Sequence, residues 1–138
     1  MYDHMGTIEK CSSIGNINGN TAHPNYNYIL GVGGIVGTNE GIIQNCRHEG
    51  YVLSPGNNVG GIAGYMNINY SPDVKIIKSQ QIGNVTGYRY VGGIVGYLKS
   101  GVVPESGSDV NSFSGTGTVT GGTSGAGYTF GSVYGYKE

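Results

Sequence analysis

Charged residues are scarce in this chain: they make up 11% of its 138 residues, with seven Lys and Arg against eight Asp and Glu. Nucleic-acid binding and polybasic membrane contacts both need concentrated positive charge, so this composition disfavours both. No segment approaches the roughly 20 consecutive apolar residues of a membrane-spanning helix. The first ten residues, MYDHMGTIEK, lack the charged and then apolar pattern of a signal peptide. We therefore expect no nucleic-acid partner and no membrane insertion.

Tryptophan is absent and cysteine occurs only twice, whereas glycine is abundant, with 28 residues. Glycine disfavours long helices because it loses the most backbone entropy when it is ordered. Ile, Val and Tyr provide most of the hydrophobic residues, and these side chains suit β-strands. The glycines do not follow the every-third-residue period of collagen, so they serve another repeat.

One glycine-rich hexad recurs along the chain. It reads VGGIVG at Val32–Gly37, VGGIAG at Val59–Gly64 and VGGIVG at Val91–Gly96, with a degenerate copy, FGSVYG, at Phe130–Gly135. Successive copies are 27, 32 and 39 residues apart. Periods of about 20–50 residues indicate stacked solenoid coils. A phosphate-binding loop would need only one copy, followed by a helix.

A second motif lies between the hexads. Gly6–Ile17 aligns with Gly41–Val52, with Val74–Val85 and with Ser108–Val119. In this alignment Phe113 takes the column of the two cysteines and of Ser79. We predict an all-β parallel solenoid, or β-helix, of about four coils with strands on three sides. It forms a single domain over residues 1–138, with units at about 6–38, 41–65, 73–97 and 101–136.

Stacking explains why the hexad is repeated. Equivalent residues of successive coils lie about 4.8 Å apart, so an inward residue of each coil builds a ladder through the core. We expect the glycines where the chain bends or where a side chain would collide with the next coil. The predicted core ladder is Ile35, Ile62, Ile94 and Val133.

Tyr65, Tyr97 and Tyr136 each directly follow a hexad, and two residues earlier lie Ala63, Val95 and Tyr134, on the same face of the strand. Because that earlier position accepts both alanine and tyrosine, we interpret this face as outward. This candidate binding face consists of Tyr65, Tyr97, Tyr134 and Tyr136. Two roles stay open for it. The rings either stabilise the stack through contacts between strands, or form a surface that binds a glycan or a protein.

Cys11 and Cys46 share one column, within disulfide reach if their coils are adjacent. We favour free thiols, because Ser79 and Phe113 in that column indicate a slot that needs filling. Cys46 and His48 point to the same side of a strand, but one such pair is a weak metal signal. Carboxylates do not recur in any column, as a β-helix hydrolase would need. We therefore predict no catalytic, metal or cofactor residues.

The pattern G-x-I-x-x-C, then G-x-V, then V-G-G-I-x-G resembles the GLUG repeat of bacterial surface and secreted proteins. These include the N-terminal regions of IgA-cleaving metallopeptidases and large adhesins. The resemblance covers about residues 6–136 and implies a non-catalytic module at the cell surface or outside the cell. The H-E-x-x-H motif of the peptidase domain is absent from this sequence.

These observations favour a structural or adhesive module whose partner is a protein or glycan on a host or neighbouring cell. The alternative is a glycan-binding module that uses the tyrosine face or the loops around Tyr26, Tyr28 and Tyr70. A β-helix carbohydrate-active enzyme is a minority alternative. Because the first and last coils of a solenoid carry unpaired strand edges, we also expect end-to-end self-association.

Overall fold

The computed structural model describes residues 6–19, 31–68, 72–120 and 129–138. These residues contain nineteen short β-strands and no helix, which confirms the all-β prediction. In the part of the chain that is described, no helix is therefore long and apolar enough to cross a membrane. The paired strands run parallel, as they do in a solenoid.

The strands form four stacked layers, which we name coils 1 to 4. Coil 1 contains β1 (Thr7–Glu9), β2 (Ser12–Ile14), β3 (Ile17–Asn18), β4 (Val32–Gly33) and β5 (Val36–Asn39). Coil 2 contains β6 (Ile42–Gln44), β7 (Arg47–Glu49), β8 (Val52–Leu53), β9 (Asn57–Gly60) and β10 (Ala63–Met66). Coil 3 contains β11 (Lys75–Ile77), β12 (Gln80–Ile82), β13 (Val85–Gly87), β14 (Arg89–Gly92) and β15 (Val95–Leu98). Coil 4 contains β16 (Ser112–Ser114), β17 (Gly117–Val119), β18 (Phe130–Gly131) and β19 (Tyr134–Lys137).

Equivalent strands of the coils pair into five sheets, named A to E in chain order. Sheet A contains β1, β6 and β11, and an isolated bridge joins Lys75 to Val102 at its coil 4 end. Sheets B, C, D and E each contain one strand from every coil. This stacking confirms the predicted parallel β-solenoid.

Each coil has more strands than the three predicted per unit, because the chain turns at additional points. Left-handed residues separate sheet A from sheet B in coils 1 to 3: Lys10, Asn45 and Lys78, with φ of 54°, 53° and 49°. Glycines with positive φ separate sheet B from sheet C: Gly15, Gly50 and Gly83. Each left-handed residue redirects the chain, so one extended segment becomes three short strands.

The register of coil 4 differs by two residues from the predicted alignment. Gln81 pairs with Phe113, so Asn111 rather than Phe113 lies in the column of Ser79. Both polar atoms of the Asn111 side chain form hydrogen bonds to the backbone of coil 3, and these bonds stabilise this register. Its Oδ1 accepts from the N–H of Ser79 at 2.9 Å, and its Nδ2 donates to the carbonyl oxygen of Ile76 at 2.8 Å.

The predicted ladder residues stack one above another at the bend between sheets D and E. The N–H of Ile35 donates to the carbonyl of Ile62 at 3.0 Å, Ile62 donates to Ile94 at 2.9 Å, and Ile94 donates to Val133 at 3.0 Å. Ile62 and Ile94 are fully buried, whereas Ile35 and Val133 in the end coils are partly buried. A second apolar cluster lies between sheets C and D: Val52, Val59, Val85 and Val91.

The glycines of the hexad lie at the corner between sheets D and E, where the backbones of neighbouring strands are in direct contact. A Cβ atom on Gly60 would collide with the carbonyl oxygen of Ala63 and lie 2.7 Å from the nitrogen of Gly96. A Cβ atom on Gly64 would lie 2.5 Å from the carbonyl oxygen of Asn58. No side chain fits between these strands, so every coil needs its own glycines at the corner.

Candidate functional site

Sheet B turns the middle residue of each strand inward, and coils 2 and 3 place polar side chains there. His48 and Gln81 are fully buried. Nδ1 of His48 lies 2.7 Å from Oε1 of Gln81, and Nε2 of His48 lies 2.9 Å from the carbonyl oxygen of Gly15. Nε2 of Gln81 donates to the carbonyl oxygen of Gly50 at 2.9 Å. These bonds join coils 1 to 3, so the pair acts as a structural link between coils.

Replacing Gln81 by leucine is expected to lower the free energy of unfolding by about 1–3 kcal/mol. The change leaves His48 Nδ1 and the Gly50 carbonyl buried without their partner, while the side-chain volume stays similar. Gln80→Leu is the matched control, because Gln80 precedes Gln81 and lies on the opposite face of the strand. Urea unfolding followed by circular dichroism measures both variants. Equal losses would contradict the role of the buried pair.

The two cysteines occupy one column and carry free thiols. Cys46 is buried and Cys11 is exposed. Burial raises the pKa of the Cys46 thiol, and its Sγ donates to the carbonyl oxygen of Gln44 at 3.3 Å. A thiol held protonated is a weak nucleophile and a weak metal ligand. No cluster of three or more His, Cys, Asp or Glu side chains suited to a metal ion occurs within the described ranges.

Among the described residues, four tyrosines form an aromatic cluster along sheets D and E: Tyr65, Tyr90, Tyr97 and Tyr136. The ring centroids of Tyr65 and Tyr97 are 5.5 Å apart, and those of Tyr97 and Tyr136 are 5.0 Å apart. The ring of Tyr90 meets that of Tyr97 edge-on at 5.0 Å. Aromatic pairs at these distances stabilise a fold beyond their buried area. The sequence pattern missed Tyr90, because the repeats gave no sign that its strand faces the tyrosine column.

The tyrosine column is not the open outward face that the sequence predicted. Tyr65 is only 4% exposed, whereas Tyr136 in coil 4 is 37% exposed. Two residues before the tyrosines, Ala63 and Val95 are fully buried in the core, and Tyr134 packs against the same core. Tyr134 shares a column with Ala63 and Val95, and in coil 4 it is partly buried.

Tyr97 connects the aromatic cluster to the end of the chain, because its hydroxyl donates to the carboxylate of Glu138. Burial raises the pKa of Tyr97 well above its ordinary value, and the hydrogen bond and negative charge of Glu138 raise that pKa further. Each cause favours the neutral phenol. Tyr97 is therefore held as a protonated hydrogen-bond donor that fastens the end of coil 4 to coil 3.

We expect the stability of the fold to decrease as the pH rises above about 10, the value at which a tyrosine ionises in the unfolded chain. Below that pH the raised pKa of Tyr97 contributes its full stabilisation, and ionisation removes the contribution at higher pH. Tyr97→Phe should flatten this alkaline decline. Glu138→Gln should flatten it only partly, because burial of Tyr97 remains. Unfolding free energies between pH 8 and 11 provide the measurement, and identical slopes in all three proteins would contradict the assignment.

A shallow groove of about 200 Å³ lies on the outer surface of sheet C. Its walls are Tyr51, Val52, Leu53, Asn84 and Thr86. Tyr51 is 42% exposed and Leu53 is 37% exposed. Sugar rings bind to an exposed aromatic ring flanked by amide and hydroxyl groups. The sequence-based interpretation missed this groove. Its only signal was an aromatic residue directly after the positive-φ glycine at position 50.

Carboxylates do not converge on neighbouring coils of sheets A and B. Glu9 stacks on Gln44, and Glu49 stacks between Ile14 and Ile82. A glycoside hydrolase needs two carboxyl groups roughly 5–10 Å apart on either side of the scissile bond. In these columns the neighbours of each acid are an amide or an aliphatic side chain, which supply neither a proton donor nor a second carboxylate.

The fold and the site define a class of protein, a parallel β-solenoid repeat protein. Comparison with protein-family models, with curated proteins and with solved structures finds no match to this chain. The resemblance to the GLUG repeat therefore stays a prediction. The loops around Tyr26, Tyr28 and Tyr70, named above as an alternative binding region, lie outside the described residues.

Proposed function

We propose that this chain is a non-catalytic structural and adhesive repeat module of a bacterial cell-surface or secreted protein. One observation carries the proposal. The residues that repeat from coil to coil are used for stacking, whereas the outward positions of sheets B and C vary between most coils. A rigid scaffold with a variable outer surface suits the presentation of binding residues rather than the assembly of one catalytic centre.

Sheets B and C illustrate this division. Their inward or stacked positions hold the buried pair and the valine cluster described above. One outward column of sheet B reads Ser12, Arg47, Gln80 and Ser112. One outward column of sheet C reads Asn18, Leu53, Thr86 and Thr118. No two neighbouring coils share a residue in these columns except for the last threonine pair, so the surface offers varied polar and apolar groups to a partner.

The charged groups on the outer surface support the non-catalytic part of the proposal. Arg47 contacts Glu49 at 2.8 Å, and Lys78 contacts Asp109 at 3.3 Å. All four side chains are about half exposed to solvent. Solvated ion pairs of this kind contribute little energy. Each of these two carboxylates is paired with a basic side chain, whereas a glycoside hydrolase places two carboxyl groups on either side of the scissile bond.

Beads coated with the full chain are expected to adhere to host epithelial cells or to neighbouring bacteria, whereas beads coated with the unfolded chain should not. The same protein should release no reducing ends from a panel of plant, host and bacterial polysaccharides. Adhesion without turnover supports the proposal. Turnover that is lost when the chain is unfolded would identify an enzyme and would overturn it.

A second candidate function, glycan binding, is favoured by the groove beside Tyr51. Tyr51 is 42% exposed, whereas Tyr65 in the aromatic cluster is only 4% exposed. The hydroxyl oxygens of Thr86 and Thr118 lie 2.8 Å apart at the edge of this groove. Asn84 and Thr86 line the same groove as Tyr51 and would offer an amide and a hydroxyl group to a sugar ring bound there.

Glycan arrays with two matched variants separate the two tyrosine surfaces. Tyr51→Ala should abolish retention of any bound glycan, while Tyr136→Ala should leave it unchanged. Both residues are among the exposed large hydrophobic residues, so neither change empties the core. The opposite pattern would move the glycan site to the aromatic cluster. The absence of any retained glycan would reject this second candidate and leave the adhesive proposal standing.

A further inference from the structure

Both ends of the solenoid expose the edge of its core. Ile43, Val52 and Ile62 in coil 2 have no exposed surface. Their counterparts in coil 1 are only partly buried: Ile8, Ile17 and Ile35. In coil 4, Val119 and Val133 are likewise only partly buried. Five sheets finish in an unpaired strand at coil 1 and four at coil 4, and such edges accept further strands.

A size rule governs how each coil fits onto the next. The second glycine of a hexad leaves a slot that the middle residue of sheet B in the following coil fills. A Cβ atom on Gly34 would collide with the ring of His48, and one on Gly61 would collide with the side chain of Gln81. One on Gly93 would collide with the ring of Phe113. Thus a glycine in one coil accompanies a large side chain in the next.

In coils 4 and 1 the residue sizes at these two positions are reversed. Coil 4 has a side chain in place of the glycine, and coil 1 has a small residue in place of the large one. The hexad of coil 4 has Ser132 where the other hexads have their second glycine. The middle residue of sheet B in coil 1 is Ser13, which stacks in register on His48. A serine side chain would fill the slot that a glycine leaves open, so coil 4 accepts only a small residue above it. Ser13 is the only small residue in its column.

We propose that this chain stacks head to tail with a second copy of itself, with coil 1 of one molecule seated on coil 4 of another. β2 to β5 of one copy then pair with β16 to β19 of the next, which continues sheets B to E in register. Ser13 of one copy meets Ser132 of the other, and the exposed core edges at both ends become buried. Because the contact joins two different surfaces, it does not close and it grows a filament.

Sedimentation velocity of the full chain over a hundredfold range of concentration is the first test. The weight-average sedimentation coefficient should rise with concentration, and electron microscopy should show rods of constant width. Ser13→Phe should raise the apparent dissociation constant at least about tenfold, because the ring meets the side chain of Ser132. Adding Ser132→Gly should restore association, since this recreates the pairing of Gly93 with Phe113. Ser12→Phe, on the outward face, should leave association within about twofold of the wild type.

A mixing experiment tests the proposal even if one substitution perturbs the coil that carries it. Ser13→Phe blocks the coil 1 end, and Ser132→Phe blocks the coil 4 end. Each variant alone should be monomeric, and an equimolar mixture should form dimers only, because one free end of each kind remains. A wild type that is monomeric at all concentrations would overturn the proposal. Association that survives Ser13→Phe, or that Ser12→Phe weakens equally, would also overturn it.

Discussion

Replacing Ile62 by aspartate is expected to lower the free energy of unfolding by at least about 4 kcal/mol. Ile62 is fully buried, and its backbone is hydrogen-bonded between those of Ile35 and Ile94. A carboxylate at this position would lie in an apolar stack without a cation or a hydrogen-bond donor from the neighbouring ladder residues. Since single domains are stable by only about 5–15 kcal/mol, the variant should be largely unfolded at moderate temperature.

Ile14→Asp provides the matched control, because it makes the same chemical change at a side chain that is 80% exposed. Its expected loss is below about 1 kcal/mol, most of it from repulsion by Glu49 in the adjacent strand. Thermal and urea unfolding of both variants measure the difference. Similar melting temperatures for Ile62→Asp and the wild type would show that the ladder does not face the core.

Replacing Gly60 by alanine is expected to destabilise the fold by about 3 kcal/mol or more. The added methyl group would collide with the carbonyl oxygen of Ala63 and approach the backbone nitrogen of Gly96. These atoms belong to the backbone of two strands, so no side-chain rotation relieves the contact. The corner between sheets D and E would have to open through neighbouring coils.

Gly56→Ala is the control for the loss of glycine itself. The nearest atom to its Cβ would be Oγ of Ser54 at 3.3 Å, and Gly56 does not have a left-handed backbone. Alanine at this site should change the free energy of unfolding by less than about 1 kcal/mol, because the Ser54 hydroxyl needs to move by only a few tenths of an ångström and alanine reduces the freedom of the unfolded chain. If Gly60→Ala and Gly56→Ala unfold at the same urea concentration, the backbone contact between the sheets is not a determinant of stability.

The fold was predictable where one physical requirement recurs in every coil. The hexad predicts the corner between sheets D and E, and its isoleucines predict the core ladder, because every coil needs one corner and one core residue at this point. The turns at Lys10, Asn45 and Lys78 were not predictable in this way. A left-handed backbone is usually marked by glycine and less often by asparagine, so Asn45 gives a weak signal and the two lysines give none. The predicted register of coil 4 differs from the observed register by two residues, because the glycine-rich sequence of this coil offers several similar registers.

The candidate site was less predictable, because it depends on which side of a bent strand a residue faces. The variation between Ala63 and Tyr134 in one column predicts an outward tyrosine face, because a tightly packed core position would not accept both residues. In the structure Ala63 is nevertheless fully buried, and Tyr134 is partly buried against the same core. The link between His48 and Gln81 becomes visible only when the register of sheet B is known, because neither residue alone indicates a partner 33 positions away.

The stacking direction of the hydrogen bonds has a mechanical consequence. Bonds between coils run along the axis of the stack, and the first and last strands lie at opposite ends of it. Tension applied between these ends therefore acts on the hydrogen bonds between one pair of coils at a time, rather than on all of them together in shear. Each coil that peels away releases between 27 and 39 residues, or roughly 90–130 Å of extended chain. A constant-force stretching trace should show steps in this range at low force, so a tether of this kind would lengthen one coil at a time under load and recoil when released.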